Sequence, residues 1–226
     1  NKTNFIPVDS EHFSIWSLIK EEKNSIEKIY LTASGGPFLK KNFYSVKFAR
    51  PKDALNHPKW SMGKKISIDS ATMMNKVFEV LEAKKIFNID YSKIKIIIHP
   101  DSYIHAIVKF NNGLIKLCAH ETDMSIPIFN SIYHDKNINY PTKKINFNLL
   151  NRLNMQKPIL SKFPSLKILN NLPLYNSLYE TVLVTANDIL VDLYLKNKID
   201  YLSIVRILKK VTNIKKFKTL KKKKVK

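Results

Sequence analysis

A single run of the chain, from His57 to Lys76, brings together side chains that can bind a phosphate and a polar substrate. Serine hydroxyls and a lysine near the start of a helix favour phosphate binding, because the helix N-terminus adds unpaired N–H groups and a positive dipole. Glu79 follows three residues later, and carboxylate oxygens are ligands that a divalent cation prefers. The run therefore predicts a site for a phosphorylated ligand and a metal ion.

A second source of carboxylates lies near the start of the chain. Asp9 and Glu11 follow residues 5–8, which are predicted to form a short strand. In an extended chain, residues two apart point to the same side, so both carboxylates are expected to face one point. Two hard oxygen ligands suit magnesium or manganese. The alternative is that Asp9 only caps the helix that is predicted to follow it.

Spacing on a predicted helix favours the metal interpretation. After a brief strand at residues 66–68, Asp69 or Ser70 is expected to cap a helix that runs to about residue 87. Positions three or four apart share one face of such a helix. A helix face that is only exposed to solvent would also be polar. However, a serine at the start of the helix and a lysine one turn later predict a site that binds phosphate. The face carries Thr72, Asn75, Lys76 and Glu79.

Weaker signals lie in two predicted loops. The turn Ser34-Gly35-Gly36 can bring backbone N–H groups close to an anion, although such turns are common without one. Residues 52–63 lack periodicity and include a proline and a glycine, which predicts a mobile loop. Its histidine, His57, can donate to a phosphate or be incidental. Trp60 and Met62 are either a lid over a ligand or buried anchors, and the residues alone favour neither interpretation.

The charge of the chain is strongly positive but uneven. Its 226 residues include 39 lysines and arginines against 18 acids, which gives a formal net charge of +21. A run of lysines without any acid lies between Lys209 and Lys226, and such a block is usually solvated and unstructured. Because the chain favours Lys, Asn and Ile throughout, we interpret part of this charge as compositional bias. Nucleic acid is therefore disfavoured as a partner, whereas phosphorylated small molecules are also attracted by a basic protein.

Two further features limit the class of protein. No uninterrupted apolar stretch approaches the ~20 residues of a membrane-spanning helix, so no membrane association is expected. The single cysteine, Cys118, excludes an internal disulfide framework and suggests a reducing compartment.

Strand and helix patterns predict an α/β (α+β) part followed by an all-α part. Strands are expected at residues 26–31 and 93–99, and alternating runs on either side of Asn112-Gly113 predict a hairpin. After Pro141 the pattern is helical: Ser177 begins a capping box, and Asp200 is a second cap. We therefore predict a catalytic domain with a mixed sheet over residues 1–140, a helical domain over 141–213 and an unstructured Lys-rich tail over 214–226.

Four runs together resemble the 1-deoxy-D-xylulose 5-phosphate reductoisomerase family of the non-mevalonate isoprenoid pathway, in the order and at spacings similar to the family's. A faint further match covers Thr185-Ala186-Asn187-Asp188, where the family usually has Ala-Asn-Glu. The four runs are Pro7-Val8-Asp9-Ser10-Glu11-His12, Ser34-Gly35-Gly36-Pro37-Phe38, His57-Pro58-Lys59-Trp60-Ser61-Met62-Gly63 and Lys65-Ile66-Ser67-Ile68-Asp69-Ser70-Ala71-Thr72-Met73-Met74-Asn75-Lys76.

The resemblance implies a role for each matching position. The metal ligands would be Asp9, Glu11 and Glu79, and the residues that act in catalysis would be Glu11, Lys76 and Glu79. The cofactor would contact Met62 and Gly63, and the lid would consist of His57, Trp60 and Met62. The substrate would be held by Ser10, Glu11, Ser34, His57, Ser70, Asn75, Lys76 and Glu79.

The resemblance also implies an activity. Members use NADPH and Mg²⁺ or Mn²⁺ (Co²⁺ is also accepted) to convert 1-deoxy-D-xylulose 5-phosphate to 2-C-methyl-D-erythritol 4-phosphate by a retro-aldol/aldol rearrangement and a hydride reduction. They are typically homodimers of the bacterial cytoplasm or of plastids. The glycine-rich fingerprint of a dinucleotide-binding domain does not occur in this sequence, so we expect the N-terminal NADPH domain to be absent. The alternative is a truncated, non-catalytic relic whose basic surface binds RNA or another polyanion.

Overall fold

A computed structural model describes residues 5–151 and 153–225. The strands are β1 (Ile26–Ala33), β2 (Ile94–Ile98), β3 (Ile104–Phe110) and β4 (Ile115–Ala119). The α-helices are α1 (Ser10–Ile19), α2 (Phe43–Lys47), α3 (Pro51–Leu55), α4 (Lys64–Thr72), α5 (Met74–Phe87), α6 (Ser125–Ile132), α7 (Phe147–Asn151), α8 (Leu178–Leu195), α9 (Tyr201–Asn213) and α10 (Lys215–Thr219). Short 3-10 helices cover Tyr91–Lys93, Pro164–Asn171 and Leu220–Lys222. Within the described residues, none of the helices is both long enough and apolar enough to cross a membrane.

The chain divides into two compact units, each made of two separate segments. The first contains the residues up to Ser34 and Tyr91–Lys157, and the second contains Gly35–Asp90 and the residues from Pro158 onward. This division differs from the predicted boundary near residue 140. The reason is that α4 packs against α8, and α5 packs against the 3-10 helix Pro164–Asn171, so an early helical segment shares a core with the C-terminal helices. Residues 1–4 and 226, which the domain predictions include, lie outside the described residues.

The first unit is built on a mixed four-stranded sheet in the order β2-β1-β3-β4. The strands β1 and β2 are parallel, whereas β3 is antiparallel to both β1 and β4. The predicted hairpin is confirmed, and Gly113 in its turn has a φ of 88°, which glycine adopts readily. Helix α1 packs on β3 and β4 and buries Phe13 and Ile15. The predicted mixed sheet is therefore confirmed.

The second unit is helical, and its two longest C-terminal helices begin where the sequence predicts. Ser177 caps α8 by accepting from the Tyr179 backbone N–H, and Asp200 caps α9 by accepting from the Ser203 backbone N–H. The Glu180 carboxylate, which belongs to the predicted capping box, pairs with the Lys85 ammonium at 2.8 Å. Helices α8 and α9 pack against each other.

The prediction for residues 66–72 is wrong. The brief strand at 66–68 and the helix start at Asp69 or Ser70 are replaced by α4, which already begins at Lys64. Burial of Ser67, Ile68 and Ala71 at helical spacing outweighs the local β-propensity. Residues 5–8, predicted as a strand, have no regular secondary structure.

The tail also differs from its prediction. Instead of being unstructured, it forms α10 and a 3-10 helix, and the Val225 backbone N–H donates to the Asn176 carbonyl at 3.1 Å. The ammonium groups of Lys221 and Lys224 lie over the rings of Tyr179 and Tyr175, 4.5 and 5.2 Å from their centroids. These contacts stabilise an ordered tail, because lysine stems cover apolar surface while their charges face aromatic rings.

Candidate active site

In the first unit, Asp9 is the N-cap of α1. Its Oδ1 accepts from the backbone N–H groups of Glu11 at 3.2 Å and His12 at 3.1 Å. The predicted extended arrangement of Asp9 and Glu11 is therefore wrong, because the chain is helical from Ser10 onward. Both residues lie at the N-terminus of α1, where acidic side chains are common.

Asp9, Ser10 and Glu11 form an oxygen-rich set. The Ser10 hydroxyl donates to Glu11 Oε2 at 2.5 Å, and Ser10 is buried. The sequence interpretation assigned no separate role to His12, whose Nδ1 lies 2.9 Å from Asp9 Oδ1 and whose side chain is buried. Its position three residues after a helix cap was the available signal. The set offers two carboxylates and a hydroxyl, which suit a hard cation.

In the second unit, α5 brings three of the predicted residues together. The Asn75 side-chain amide donates to Glu79 Oε1 at 2.5 Å, and Lys76 Nζ lies 2.6 Å from Glu79 Oε2. Lys76 and Glu79 are 5% and 3% exposed, so this is a buried ion pair, which is stable only with good geometry and further hydrogen bonds. Thr72, predicted on the same face, belongs instead to α4, where its hydroxyl donates to the Ile68 carbonyl at 3.0 Å.

A break between α4 and α5 separates Ser70 from these three residues. Met73 has a φ of 61° and a ψ of 13°, a left-handed conformation that is uncommon for a residue with a side chain. The turn at Gly35 and Gly36 packs against this break. A Cβ at Gly36, whose φ is 66°, would lie 3.0 Å from the Ser70 carbonyl oxygen and 3.1 Å from the Ala71 Cα. These contacts give Gly36 a packing role.

The loop predicted over residues 52–63 is helical at its start, because α3 covers Pro51–Leu55, so this part of the prediction is wrong. Residues 56–63, which include the predicted lid residues, have no regular secondary structure. His57 Nδ1 accepts from the Trp60 backbone N–H at 2.9 Å and the Lys59 backbone N–H at 3.2 Å, so the neutral ring carries its proton on Nε2. Burial, together with the positive charge of Lys76, lowers the pKa of His57 to about 4. His57 is therefore a neutral donor at physiological pH, and its ring fixes the turn before Met62.

Gly63 ends the lid and is the N-cap of α4. Its carbonyl accepts from both the backbone N–H and the hydroxyl of Ser67, each at 3.0 Å. Gly63 has an ordinary φ of −60°, and an added Cβ would meet no atom of the described residues within 4 Å. The backbone therefore does not require glycine here, whereas a ligand lying close to the backbone would.

A buried carboxylate in α4 connects to α8. Asp69 is 1% exposed, and it accepts from Asn187 Nδ2 at 2.8 Å and pairs with Lys65 Nζ at 2.7 Å. Lys65 also lies 3.1 Å from Asp188. Burial raises the pKa of Asp69, although Lys65 and Asn187 oppose this shift. The sequence interpretation gave Asn187 no role beyond the resemblance, because 118 residues separate it from Asp69.

The predicted site residues are thus shared between the two units. The first unit provides Asp9, Ser10, Glu11 and Ser34. The second provides His57, Trp60, Met62, Gly63, Ser70, Asn75, Lys76 and Glu79.

Two family models match this chain. One, described as the 1-deoxy-D-xylulose 5-phosphate reductoisomerase C-terminal domain, matches residues 5–87. The other, described as the DXP reductoisomerase C-terminal domain, matches residues 120–226. Most of the chain is therefore matched by models of one family.

Proteins with similar sequences carry the name of this family. The 1-deoxy-D-xylulose 5-phosphate reductoisomerase of Pelagibacter ubique is 57% identical over 224 residues, which cover 97% of this chain and 58% of that protein. The enzyme of the same name from Aquifex aeolicus is 39% identical, over 92% of this chain and 55% of that protein. The chain therefore spans little more than half the length of these relatives.

Solved structures resemble the chain as well. A DOX-P reductoisomerase in complex with NADPH, fosmidomycin and magnesium is 33% identical with a TM-score of 0.85, over 95% of this chain and 55% of that one. The reductoisomerase of Zymomonas mobilis in complex with NADPH is 33% identical with a TM-score of 0.79, over 91% of this chain and 53% of that one. On the fold, the site residues and these similarities, the chain belongs to the 1-deoxy-D-xylulose 5-phosphate reductoisomerase family and matches its C-terminal part.

Proposed function

We propose that this chain is the metal- and substrate-binding part of an NADPH-dependent reductoisomerase that converts 1-deoxy-D-xylulose 5-phosphate to 2-C-methyl-D-erythritol 4-phosphate. The observation that carries the proposal is the buried Asn75–Lys76–Glu79 cluster on α5. Burying an ammonium and a carboxylate costs free energy of folding. Binding of a polar ligand would explain why the fold keeps both groups at this position. The names of the relatives support the same activity.

We propose that Asp9, Glu11 and Glu79 bind one divalent cation, Mg²⁺ or Mn²⁺, with Co²⁺ also accepted. The donors fit, because all three offer carboxylate oxygens, and neither thiolate nor imidazole belongs to the set. Similar structures contain magnesium. When bound, such a cation acts as a Lewis acid on the carbonyl and hydroxyl oxygens of the substrate. Lys76 and Asn75 hold the Glu79 carboxylate in a fixed orientation for this role.

We propose that the substrate phosphate and hydroxyl groups bind Ser10, Ser34, His57, Ser70, Asn75 and Lys76. The Lys76 ammonium provides the positive charge, and the neutral His57 donates through Nε2. Because His57 Nδ1 is already occupied by backbone N–H groups, ring rotation is restricted and the donor is held in one direction. Fixed donors of this kind lower the barrier by orienting the substrate.

We propose that NADPH contacts Met62 and Gly63 and supplies the hydride for the reduction step. The open space above the Gly63 Cα supports this contact. Trp60 and Met62 are partly exposed and close over the ligands as a lid, which excludes water from the reactive intermediate. We propose that the rest of the cofactor site lies in the part of the longer relatives that this chain does not match.

We also propose a cytoplasmic homodimer. The exposed strand β4 lies at one edge of the sheet, and Leu114, Ile115 and Leu117 are 52%, 61% and 46% exposed. An unpaired apolar edge is prone to pair with a second copy, so the dimer is expected to form through β4. Light scattering should give twice the mass of the chain, and a monomer at micromolar concentration would contradict the dimer. The single thiol is compatible with a reducing cytoplasm.

Two measurements test the function. Calorimetric titration of 1-deoxy-D-xylulose 5-phosphate with Mg²⁺ into the chain should show binding that Lys76→Ala abolishes. Lys84→Ala, which changes another lysine of α5, serves as the control and should bind like the unchanged chain. In the second measurement, the chain is fused to the N-terminal part of the Pelagibacter ubique relative, and the fusion should oxidise NADPH with this substrate. Rapid turnover by the chain alone would contradict the need for the longer protein.

A further inference from the structure

The break between α4 and α5 sets the direction of the proposed substrate-binding side chains. Ser70 lies three residues before Met73, and Asn75 and Lys76 lie two and three residues after it. The left-handed conformation of Met73 is unfavourable for a residue with a side chain and persists only where surrounding contacts hold it. The contacts at this break are therefore expected to decide how the two groups of side chains are oriented.

Two buried hydroxyl groups from the C-terminal segment bond to the last carbonyls of α4. Tyr201 Oη donates to the Ala71 carbonyl at 2.6 Å, and Ser165 Oγ donates to the Thr72 carbonyl at 2.5 Å. The carbonyls at a helix C-terminus lack partners within the helix, so these hydroxyls complete their hydrogen bonding. Ser165 is 0% exposed and Tyr201 is 7% exposed, which keeps both bonds away from competing water.

The tyrosine ring is itself held in place. It makes an edge contact with Phe38, 4.9 Å between ring centroids, and another with Tyr194 at 5.9 Å. Burial raises the pKa of Tyr201, so its hydroxyl stays protonated and remains a donor. The ring contacts and the fixed protonation state together make Tyr201 a rigid support for the end of α4.

We propose that Tyr201 and Ser165 are positioning residues: by holding the Ala71 and Thr72 carbonyls, they orient Ser70, Asn75 and Lys76 for the phosphorylated substrate. This proposal rests on the proposed function. Both hydroxyls donate to backbone carbonyls and therefore act through the backbone at the break. The 3-10 helix Pro164–Asn171 and α9, which carry these two residues, would therefore support the substrate site without contacting the substrate.

The test compares two variants with a matched control. Tyr201→Phe and Ser165→Ala each remove one hydroxyl. Tyr194→Phe keeps the ring that contacts Tyr201 and removes only a buried hydroxyl, which donates to the Ala49 carbonyl at 3.1 Å and not to α4. Titration of 1-deoxy-D-xylulose 5-phosphate with Mg²⁺ gives the dissociation constant of each. We expect about a five- to tenfold weaker affinity for Tyr201→Phe and Ser165→Ala, and less than about a twofold change for Tyr194→Phe.

A second measurement separates positioning from loss of stability. Amide hydrogen exchange at residues 74–77 should accelerate in Tyr201→Phe and Ser165→Ala but not in Tyr194→Phe, even where thermal stability falls equally. Unchanged affinity in both hydroxyl variants, or the same loss in Tyr194→Phe, would overturn the proposal. If Tyr201→Phe fails to fold, the affinity and the exchange rates of Ser165→Ala alone test the proposal. If the unchanged chain itself does not bind the substrate, the proposed function fails, and the exchange comparison still tests the positioning.

Discussion

The N-terminus of α1 and the first turns of α5 carry the same kind of ligand atoms but hold them differently. Asp9 is held by backbone N–H groups and the neighbouring His12, and 43% of its side chain is exposed. Glu79 is held by the side chains of Asn75 and Lys76 and is 3% exposed. The first carboxylate is fixed by the start of a helix, and the second by an ion pair inside a core.

The two regions therefore differ in how far their geometry depends on contacts with distant parts of the chain. A cap is a local device, because the donors of Asp9 lie two and three residues away. The Glu79 cluster depends on distant support, since the break before it is bonded to Ser165 and Tyr201, which are 93 and 130 residues from their acceptors. Substitutions in the two regions should therefore differ in their effect on stability, even where both abolish metal binding.

The largest loss of stability is expected for Glu79→Ala. The substitution leaves the buried Lys76 ammonium without this carboxylate, and breaking a buried ion pair costs about 3–5 kcal/mol of unfolding free energy. Urea denaturation of the chain without metal measures the loss. The double variant Glu79→Ala/Lys76→Ala is the control and should be more stable than Glu79→Ala alone, because it also removes the Lys76 ammonium that the single variant leaves buried without this carboxylate. A double variant that is less stable than both single variants would contradict the ion-pair explanation.

A smaller loss is expected for Asp9→Ala. Removing a helix cap costs about 1 kcal/mol, and urea denaturation again measures it. Asp9→Asn is the matched control, because the amide oxygen still accepts from the backbone N–H groups while the charge is lost. Both variants should bind Mn²⁺ much more weakly in a spectroscopic titration, and only Asp9→Ala should lose stability. Equal stability loss in both variants would show that the charge, rather than the cap, stabilises α1.

The sequence predicts those parts of the site that depend on short spacings. Asp9 as a cap and the grouping of Asn75, Lys76 and Glu79 on one face both follow from helix geometry, and the structure contains both. The hairpin at Asn112-Gly113 is predicted for the same reason, since its signal lies within a few residues. Where partners are adjacent along the chain, the physics of a single element is enough.

Long-range contacts explain the failures. The strand predicted at residues 66–68 follows local β-propensity, but helix α4 forms because its buried face packs against α8. The helix expected from Ser70 onward is interrupted at Met73, and nothing in the residue types near Met73 indicates a left-handed conformation. Asn187, Ser165 and Tyr201 acquire their roles only through folding, because their partners lie on α4.

An effect that appears only below physiological pH concerns His57, which belongs to the same unit as Glu79 and has a pKa of about 4 instead of 6.5. Between these values the unfolded chain binds a proton that the folded protein does not, so the free energy of unfolding should fall as the pH is lowered from about 6.5 to about 4. Above that window His57 contributes no pH dependence. The residue's own titration by NMR should have its midpoint near 4.

His57→Asn separates this titration from the structural role of the ring. The asparagine oxygen can still accept from the Trp60 backbone N–H, so the turn before the lid is kept, but the side chain cannot titrate. We expect the variant to lose the part of the pH dependence that falls between about 6.5 and 4 and to bind the substrate more weakly at pH 7, because the Nε2 donor is gone. An NMR midpoint close to 6.5 in the unchanged chain would show that burial beside Lys76 does not control this histidine, and it would remove the electrostatic link between the lid and α5.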